Sequence, residues 1–470
     1  MGHVVGAGRP ARAHIVLLGV LLVVGMQAGA SEQPRPRHPN LLLITADDLD
    51  ADSPGWMGNP LHTTPRIDAL AATAHRFVNA HVTAPICQPS REALLTGRVP
   101  HRSGGLGFDP IADDVPTLVE VLGAQGYFTA AINKLAHMQP AHKFPWDLAL
   151  SGSGKRPRAL GADVARCLDA ARRARRPFFL NVNITDPHRP FRNTMLGMDD
   201  LPVPGFLEDL PAVRRELAHY FASVARLDTS LGETLDALAA AGHDADTVVV
   251  FLSDNGASFP FAKASVYRRG TWSPVLLRHP GRTPPATHEE LVSSVDLMPT
   301  VLELLAVTPP ADMDGRSWGP LLRGEQQDGR DVVVTYVNTV HSGASYPQRA
   351  VRTRTRALLF QPWANGNARF HVEALMRGRM FPALVHAARH DPSVAGRVRL
   401  LVSGVPLALY DLERDPDERE NLIDVPAYAA DVARLAHALL AEMARTTDPL
   451  LAALRAALGE RARLAGGGFP

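Results

Sequence analysis

Four times in this chain a short, nearly continuous apolar run stops abruptly in a cluster of polar residues. Asn40-Leu-Leu-Leu-Ile-Thr-Ala46 runs into Asp47-Asp48, and Tyr127–Ile132 runs into Asn133-Lys134. Phe178-Phe-Leu-Asn-Val-Asn-Ile184 leads to Thr185-Asp186-Pro187-His188, and Thr247-Val-Val-Val-Phe-Leu252 to Ser253-Asp254-Asn255-Gly256. Apolar runs without alternation suit strands buried on both faces, as in a parallel sheet covered by helices. Helical patterns over roughly 66–74, 117–124, 162–173 and 212–241 supply the crossovers and the cover. The expected fold class is therefore α/β, a mostly parallel sheet sandwiched by helices. Open sheets of this kind hold ligands beyond the carboxyl ends of their strands, so the four polar clusters are expected to converge.

The texture changes after about Leu322. The segment Gly324–Arg330 reads as a linker or exposed turn, followed by strand-like runs over 332–336, 350–360 and 407–412 and a closing helix over 427–445. This predicts a catalytic domain over 31–324 and a smaller C-terminal α+β domain over 325–470, ending in a frayed tail at 466–470. Residues 1–30 combine Arg9 and Arg12, an apolar run from Ile15 to Met26, and Ala28-Gly29-Ala30. That order predicts a signal peptide and an exported protein, periplasmic or secreted. No later segment is long and apolar enough to span a bilayer.

A hydrophobic share of 46% and a charged share of 21% exclude wholesale disorder. The chain carries 49 Lys+Arg against 48 Asp+Glu; removing Arg9 and Arg12 with the leader leaves a net charge of −1. Such a balance argues against a general nucleic-acid binder, so any preference for anions must come from a local pocket. Two cysteines, Cys87 and Cys167, allow at most one disulfide. Of the basic residues only Lys134, Lys143, Lys155 and Lys263 are lysines. A lysine kept against so strong an arginine bias can mark a need for a compact point charge.

The string Cys87-Gln88-Pro89-Ser90-Arg91, continued to Thr96-Gly97, is the most specific in the chain. A bare Cys-x-Pro-Ser would mark only a buried cysteine. With Arg91 and the Thr-Gly offset it resembles the signature of the type I, formylglycine-dependent sulfatases. The resemblance implies an alkaline-phosphatase-like fold, with Cys87 oxidised to formylglycine by a formylglycine-generating enzyme and its hydrate as nucleophile. It implies Asp47, Asp48, Asp254 and Asn255 as metal ligands together with the modified Cys87. These hard oxygen donors favour Ca²⁺, or Mg²⁺, over zinc. It also implies sulfate-binding cations at Arg91, Lys134 and Lys263, and a proton donor to the leaving group at His188. Lys143 and Lys155 are assigned to the exposed surface.

The family string Gly-Lys-x-His departs here to Asn133-Lys134-Leu135-Ala136-His137. The base beside the formylglycine is His137, through a local bulge, or else His142. Further strings, Ser253–Pro260, Ser345–Val351, Leu409–Pro416 and Thr446–Pro449, resemble the heparan N-sulfatase (N-sulfoglucosamine sulfohydrolase) branch. The expected substrate is a sulfated saccharide, N-sulfoglucosamine at a glycosaminoglycan chain end, in a pocket capped by the second domain. His341 either reaches that substrate or is an exposed loop histidine. The alternatives are an O-sulfatase or aryl sulfatase, a phosphate or phosphonate monoester hydrolase of the same superfold, or a glycan-binding protein with an unmodified Cys87. The oligomeric state stays open.

Overall fold

The four apolar runs are strands, and they are neighbours. The computed structural model describes residues 39–464 except 193–196, 198–200 and 282; the expected signal peptide over 1–30 and the tail at 466–470 lie outside them. The main sheet has eight strands in the spatial order Leu148–Leu150, Phe128–Ile132, Phe178–Pro187, Asn40–Asp47, Thr247–Ser253, Val275–Arg278, His75–Phe77, Thr287–His288. The first five are mutually parallel, while Val275–Arg278 runs antiparallel to both its neighbours. In this register Ala46 lies opposite both Ile184 and Ser253, so the polar residues that follow emerge at one edge.

Alternate residues of the central strand feed two cores. Leu42 and Ile44 join Leu160, Val164, Leu217 and Phe221 of the helices Pro157–Ala174 and Pro211–Ala240. Leu41 and Leu43 join Leu118, Leu122, Leu297 and Val301 of the helices Leu118–Ala124 and Leu297–Leu304 on the other face. The period of two along a strand buried on both sides produces this division, as the uninterrupted apolar run requires. Thr117 and Glu120 close a reciprocal capping box that starts the Leu118–Ala124 helix. No helix among the described residues is long and apolar enough to cross a membrane.

A second, antiparallel sheet follows, with strands Val333–Thr339, Ser345–Arg352, Arg356–Phe360 and Leu407–Asp411 in sequence order. The run over 350–360, expected as one strand, is two. The Thr353 hydroxyl accepts the N–H groups of Thr355 and Arg356 at 3.2 and 2.9 Å, a side-chain-stabilised turn that periodicity does not reveal. One face of this sheet, with Ala357 and Leu359, belongs to the core of the first helical layer. The other, with Leu358 and Phe360, packs on Leu435, Leu439 and Met443 of the helix Ala429–Arg445. The expected boundary at 324/325 falls between the helix Gly319–Leu322 and the strand Val333–Thr339, and apolar packing continues across it. Buried ion pairs, Arg349 with Asp448 at 2.5 Å and Arg352 with Glu418 at 3.1 Å, tie the second sheet in place.

The helix Cys87–Thr96 is buried at every residue, Glu92 included. Burial pushes the Glu92 carboxyl from its ordinary 4.5 up to about 9, outweighing hydrogen bonds from the Gln139 N–H and from Gln88. The folded protein therefore holds a proton that the unfolded chain releases above 4.5, and stability falls as pH rises from there toward 9. Glu92→Gln is expected to raise the melting temperature more at pH 8 than at pH 5, which paired thermal melts will show.

Candidate active site

The helix Cys87–Thr96 begins where the strands end. Ile86 is its extended N-cap, Cys87 its first residue, and Pro89 sits in the first turn, where a missing N–H costs nothing. Arg91 follows Cys87 by four residues and so shares its face. Gly97 ends the helix with φ +66°, and a Cβ there would come within 2.8 Å of Met313 Sδ. The Cys-x-Pro-Ser-Arg…Thr-Gly string is thus a complete buried helix with its stop signal.

Arg91 spans three strand ends. It donates to Thr45 Oγ1 at 2.7 Å, to Asn183 Oδ1, and to Asp254 Oδ2 at 2.6 Å. Lys134 pairs with Asp47 and Lys263 with Asp48, and Lys263 Nζ also lies 3.0 Å from Cys87 Sγ. The thiol in turn points at Asp47 Oδ1, 3.4 Å away. Asn255 Nδ2 donates to Asp48 Oδ1 at 2.7 Å, while its own Oδ1 is buried without a hydrogen-bond partner. Gly256 has no room for a side chain: a Cβ would sit 1.8 Å from the Arg269 carbonyl oxygen. Nε2 of His188 stands 3.9 Å from Asp48 Oδ2.

The electrostatics divide the three acids. Burial raises Asp47, but Lys134, His188, Arg91 and Lys263 together hold it well below the usual carboxylate range. Asp48 is likewise lowered against burial, chiefly by Lys263. Asp254 is raised: burial and the charges of Asp47 and Asp48 outweigh Arg91. Three cations, Arg91, Lys134 and Lys263, answer the three acids, yet Asp48 Oδ2 and Asn255 Oδ1 stay buried without a hydrogen-bond partner. Ligating atoms of Asp47, Asp48, Cys87 and His188 also lie within 4.8 Å of one another. Within and beside that group, the carboxylates of Asp47, Asp48 and Asp254 and the amide oxygen of Asn255 are hard donors that fit a dication such as Ca²⁺ or Mg²⁺. Burial drives the Cys87 thiol far above its ordinary range, with Lys263 opposing and Asp47 and Asp254 adding to the rise. The thiol is protonated at neutral pH and a poor nucleophile as it stands.

Asn133 and Lys134 both adopt left-handed backbone, φ 60° and 53°, and start the short helix Leu135–His137. The two left-handed residues turn the chain sharply into that helix, and Asn is one of the few side chains that tolerates the conformation. His137 lines the same cavity as Cys87, its Nδ1 buried without a hydrogen-bond partner. Burial first, then Lys134 and Arg91, depress its pKa to about 3, leaving the ring neutral at neutral pH. His142 lies apart, exposed and 2.7 Å from Asp113. His341 also lines the cavity, edge-on to Phe108 at 4.5 Å between ring centres.

Two assignments need correction. Lys143 and Lys155 are not free surface lysines: Lys143 is buried against Glu120 at 2.8 Å, and Lys155 binds Asp186 and main-chain carbonyls. Their long stems are covered because each charge meets an acid. Sequence reasoning also missed Thr45 and Asn183, which orient Arg91. Polar residues inside an otherwise apolar buried run were the available signal, since buried amides need partners. The cavity measures about 1130 Å³, and its outer wall comes from His371–Arg379, a stretch without motif.

A family model described as Sulfatase matches residues 39–307, and one described as N-sulphoglucosamine sulphohydrolase, C-terminal, matches residues 257–363. Human N-sulphoglucosamine sulphohydrolase is 29% identical, covering 94% of this chain and 96% of its own length. Human arylsulfatase A is 28% identical over 82% of this chain and 84% of its own. Among solved structures, a 2-O GAG sulfatase aligns with a TM-score of 0.68 and 21% identity, covering 88% of this chain and 93% of that one.

Removing Asp254 leaves Arg91 buried and charged with only neutral partners. Asp254→Ala is expected to cost about 3–5 kcal/mol of stability, against a smaller loss for Asp254→Asn, as urea denaturation of the two variants will show.

Proposed function

The chain belongs to the sulfatase family, a hydrolase of sulfuric esters or sulfamates, and from that premise we propose that it is an exported, Ca²⁺-dependent enzyme removing sulfate from N-sulfoglucosamine at a glycosaminoglycan chain end. The observation that carries the substrate reading is the match over 257–363. It spans both Lys263 beside Cys87 and His341 on the cavity wall. A cavity walled by the 340–342 loop of the second sheet and by the His371–Arg379 segment suits a chain end, whereas mid-chain polymer needs an open groove.

Asp47, Asp48, Asp254 and Asn255, with the oxidised position 87, would hold Ca²⁺, with Mg²⁺ as the alternative. That ion would act as a Lewis acid toward sulfate oxygen. The Cys87 thiol, protonated and unreactive, supports maturation by a formylglycine-generating enzyme. Its sulfur stands where the aldehyde oxygen would be, and the hydrated aldehyde supplies an oxygen nucleophile. Lys134 and Lys263 bind sulfate oxygens in a water-poor pocket, where fixed donors act most strongly. His188 gives a proton from Nε2 to the departing nitrogen or oxygen. Neutral His137 then takes the proton from the group at position 87, releasing sulfate.

Substrate choice is tested by sulfate release from N-sulfated glucosamine against 6-O-, 4-O- and aryl-sulfated compounds and an aryl phosphate. The N-sulfate is expected to turn over fastest. An aldehyde-bearing enzyme that ignores it yet cleaves an O-sulfate overturns the specificity, and preference for the phosphate overturns the reaction. Asp254→Asn is expected to lose Ca²⁺ and activity together, measured by calorimetry and turnover on one preparation; stoichiometric zinc at this site contradicts the metal assignment.

A further inference from the structure

We infer that Lys155 is a positioning residue: it holds the Asp186–Pro190 segment so that Nε2 of His188 faces the reacting centre. The inference rests on the reading of His188 as the proton donor to the leaving group.

Lys155 sits just ahead of the helix Pro157–Ala174, 33 residues from His188 in sequence. Its Nζ is bonded to the carbonyl oxygen of His188 itself, donates to the carbonyl of Pro190 at 3.0 Å, and pairs with Asp186 Oδ1 at 3.2 Å. An ammonium has three donors, and all three go to alternate residues of one five-residue segment centred on the histidine. Its side chain is only 16% exposed and does not line the cavity, so it is not a substrate ligand. Asp186 is held from its other side by Arg226, Nε to Oδ2 at 3.3 Å and Nη2 to Oδ1 at 3.2 Å. The segment is thereby tied both to the residues just ahead of the Pro157–Ala174 helix and to the Pro211–Ala240 helix, two elements that cover the same face of the sheet.

The ring is oriented from the same segment. Nδ1 of His188 meets the Arg189 carbonyl, which only accepts, so Nδ1 carries the hydrogen. Nε2 is left as the nitrogen that gains and loses a proton, and it is the one beside Asp48. Both carbonyls in this arrangement, those of His188 and Arg189, lie in the stretch that Lys155 ties down. A guanidinium, whose donors diverge in a plane, is poorly suited to three acceptors around one point, which accounts for a lysine in so arginine-rich a chain.

A misplaced proton donor hurts most where the leaving group is a poor one, whereas a general structural defect slows every substrate alike. The test measures kcat and KM of wild type, Lys155→Met and His188→Ala, at equal aldehyde content, on aryl sulfates and sulfamates of graded leaving-group basicity. Lys155→Met is expected to lower kcat about 10- to 100-fold on the most basic leaving groups, with little change on nitro-aryl sulfates or in KM. His188→Ala is expected to show the same steepening, larger. Uniform loss, or none, in Lys155→Met while His188→Ala steepens overturns the inference alone. No steepening in His188→Ala overturns the reading of His188, and the inference with it. Should Lys155→Met fail to fold, Lys155→Gln, which keeps a donor, carries the same comparison.

Discussion

Three carboxylates, those of Asp47, Asp48 and Asp254, lie fully buried within reach of one another, and the rest of the site answers to their repulsion. In a low-dielectric interior such charges interact far more strongly than in water and must be matched or neutralised. Lys134, Lys263 and Arg91 supply the match from three separate parts of the chain: a loop after one strand, a loop after another, and a helix. The match is one for one, and burial, more than any charge, keeps Asp254 raised while its neighbours are lowered. In the proposed enzyme a bound dication would share these carboxylates and leave the two ammonium groups to meet a sulfate. On that proposal, the charges that make folding tolerable are also the charges that recognise the substrate.

The sheet exists, functionally, to deliver these groups to one edge. Register alone sets Asp47 beside Pro187 and Ala46 beside Ser253, so residues more than 130 positions apart become neighbours. The second sheet makes no contribution to the acid cluster, yet it shares the main core and sits behind the cavity wall where His341 and the His371–Arg379 segment stand. Chemistry and enclosure are therefore supplied by different parts of the chain.

That division explains what the sequence could and could not disclose. The strands and their polar ends were legible because continuous apolar runs and abrupt stops are local features. The Cys87–Gly97 string was legible because it encodes one whole helix, from first turn to left-handed stop. The Lys134-to-His137 spacing left two histidines open; the paired left-handed residues Asn133 and Lys134 bring His137 into the cavity and leave His142 on the surface. Asn183 and Lys155 stood out by residue type alone and Glu418 not at all, because their partners are brought near only by tertiary packing. The same holds for the His371–Arg379 wall, whose one short helix, Glu373–Met376, is too brief to show a periodicity.

The account turns on Cys87 serving as precursor rather than as nucleophile. The direct measurement is mass spectrometry of the peptide bearing Cys87, taken from exported protein of known specific activity. An aldehyde in place of the thiol, in proportion to activity across preparations, is the predicted result. Full activity from protein whose Cys87 remains a free, alkylatable thiol would contradict the account.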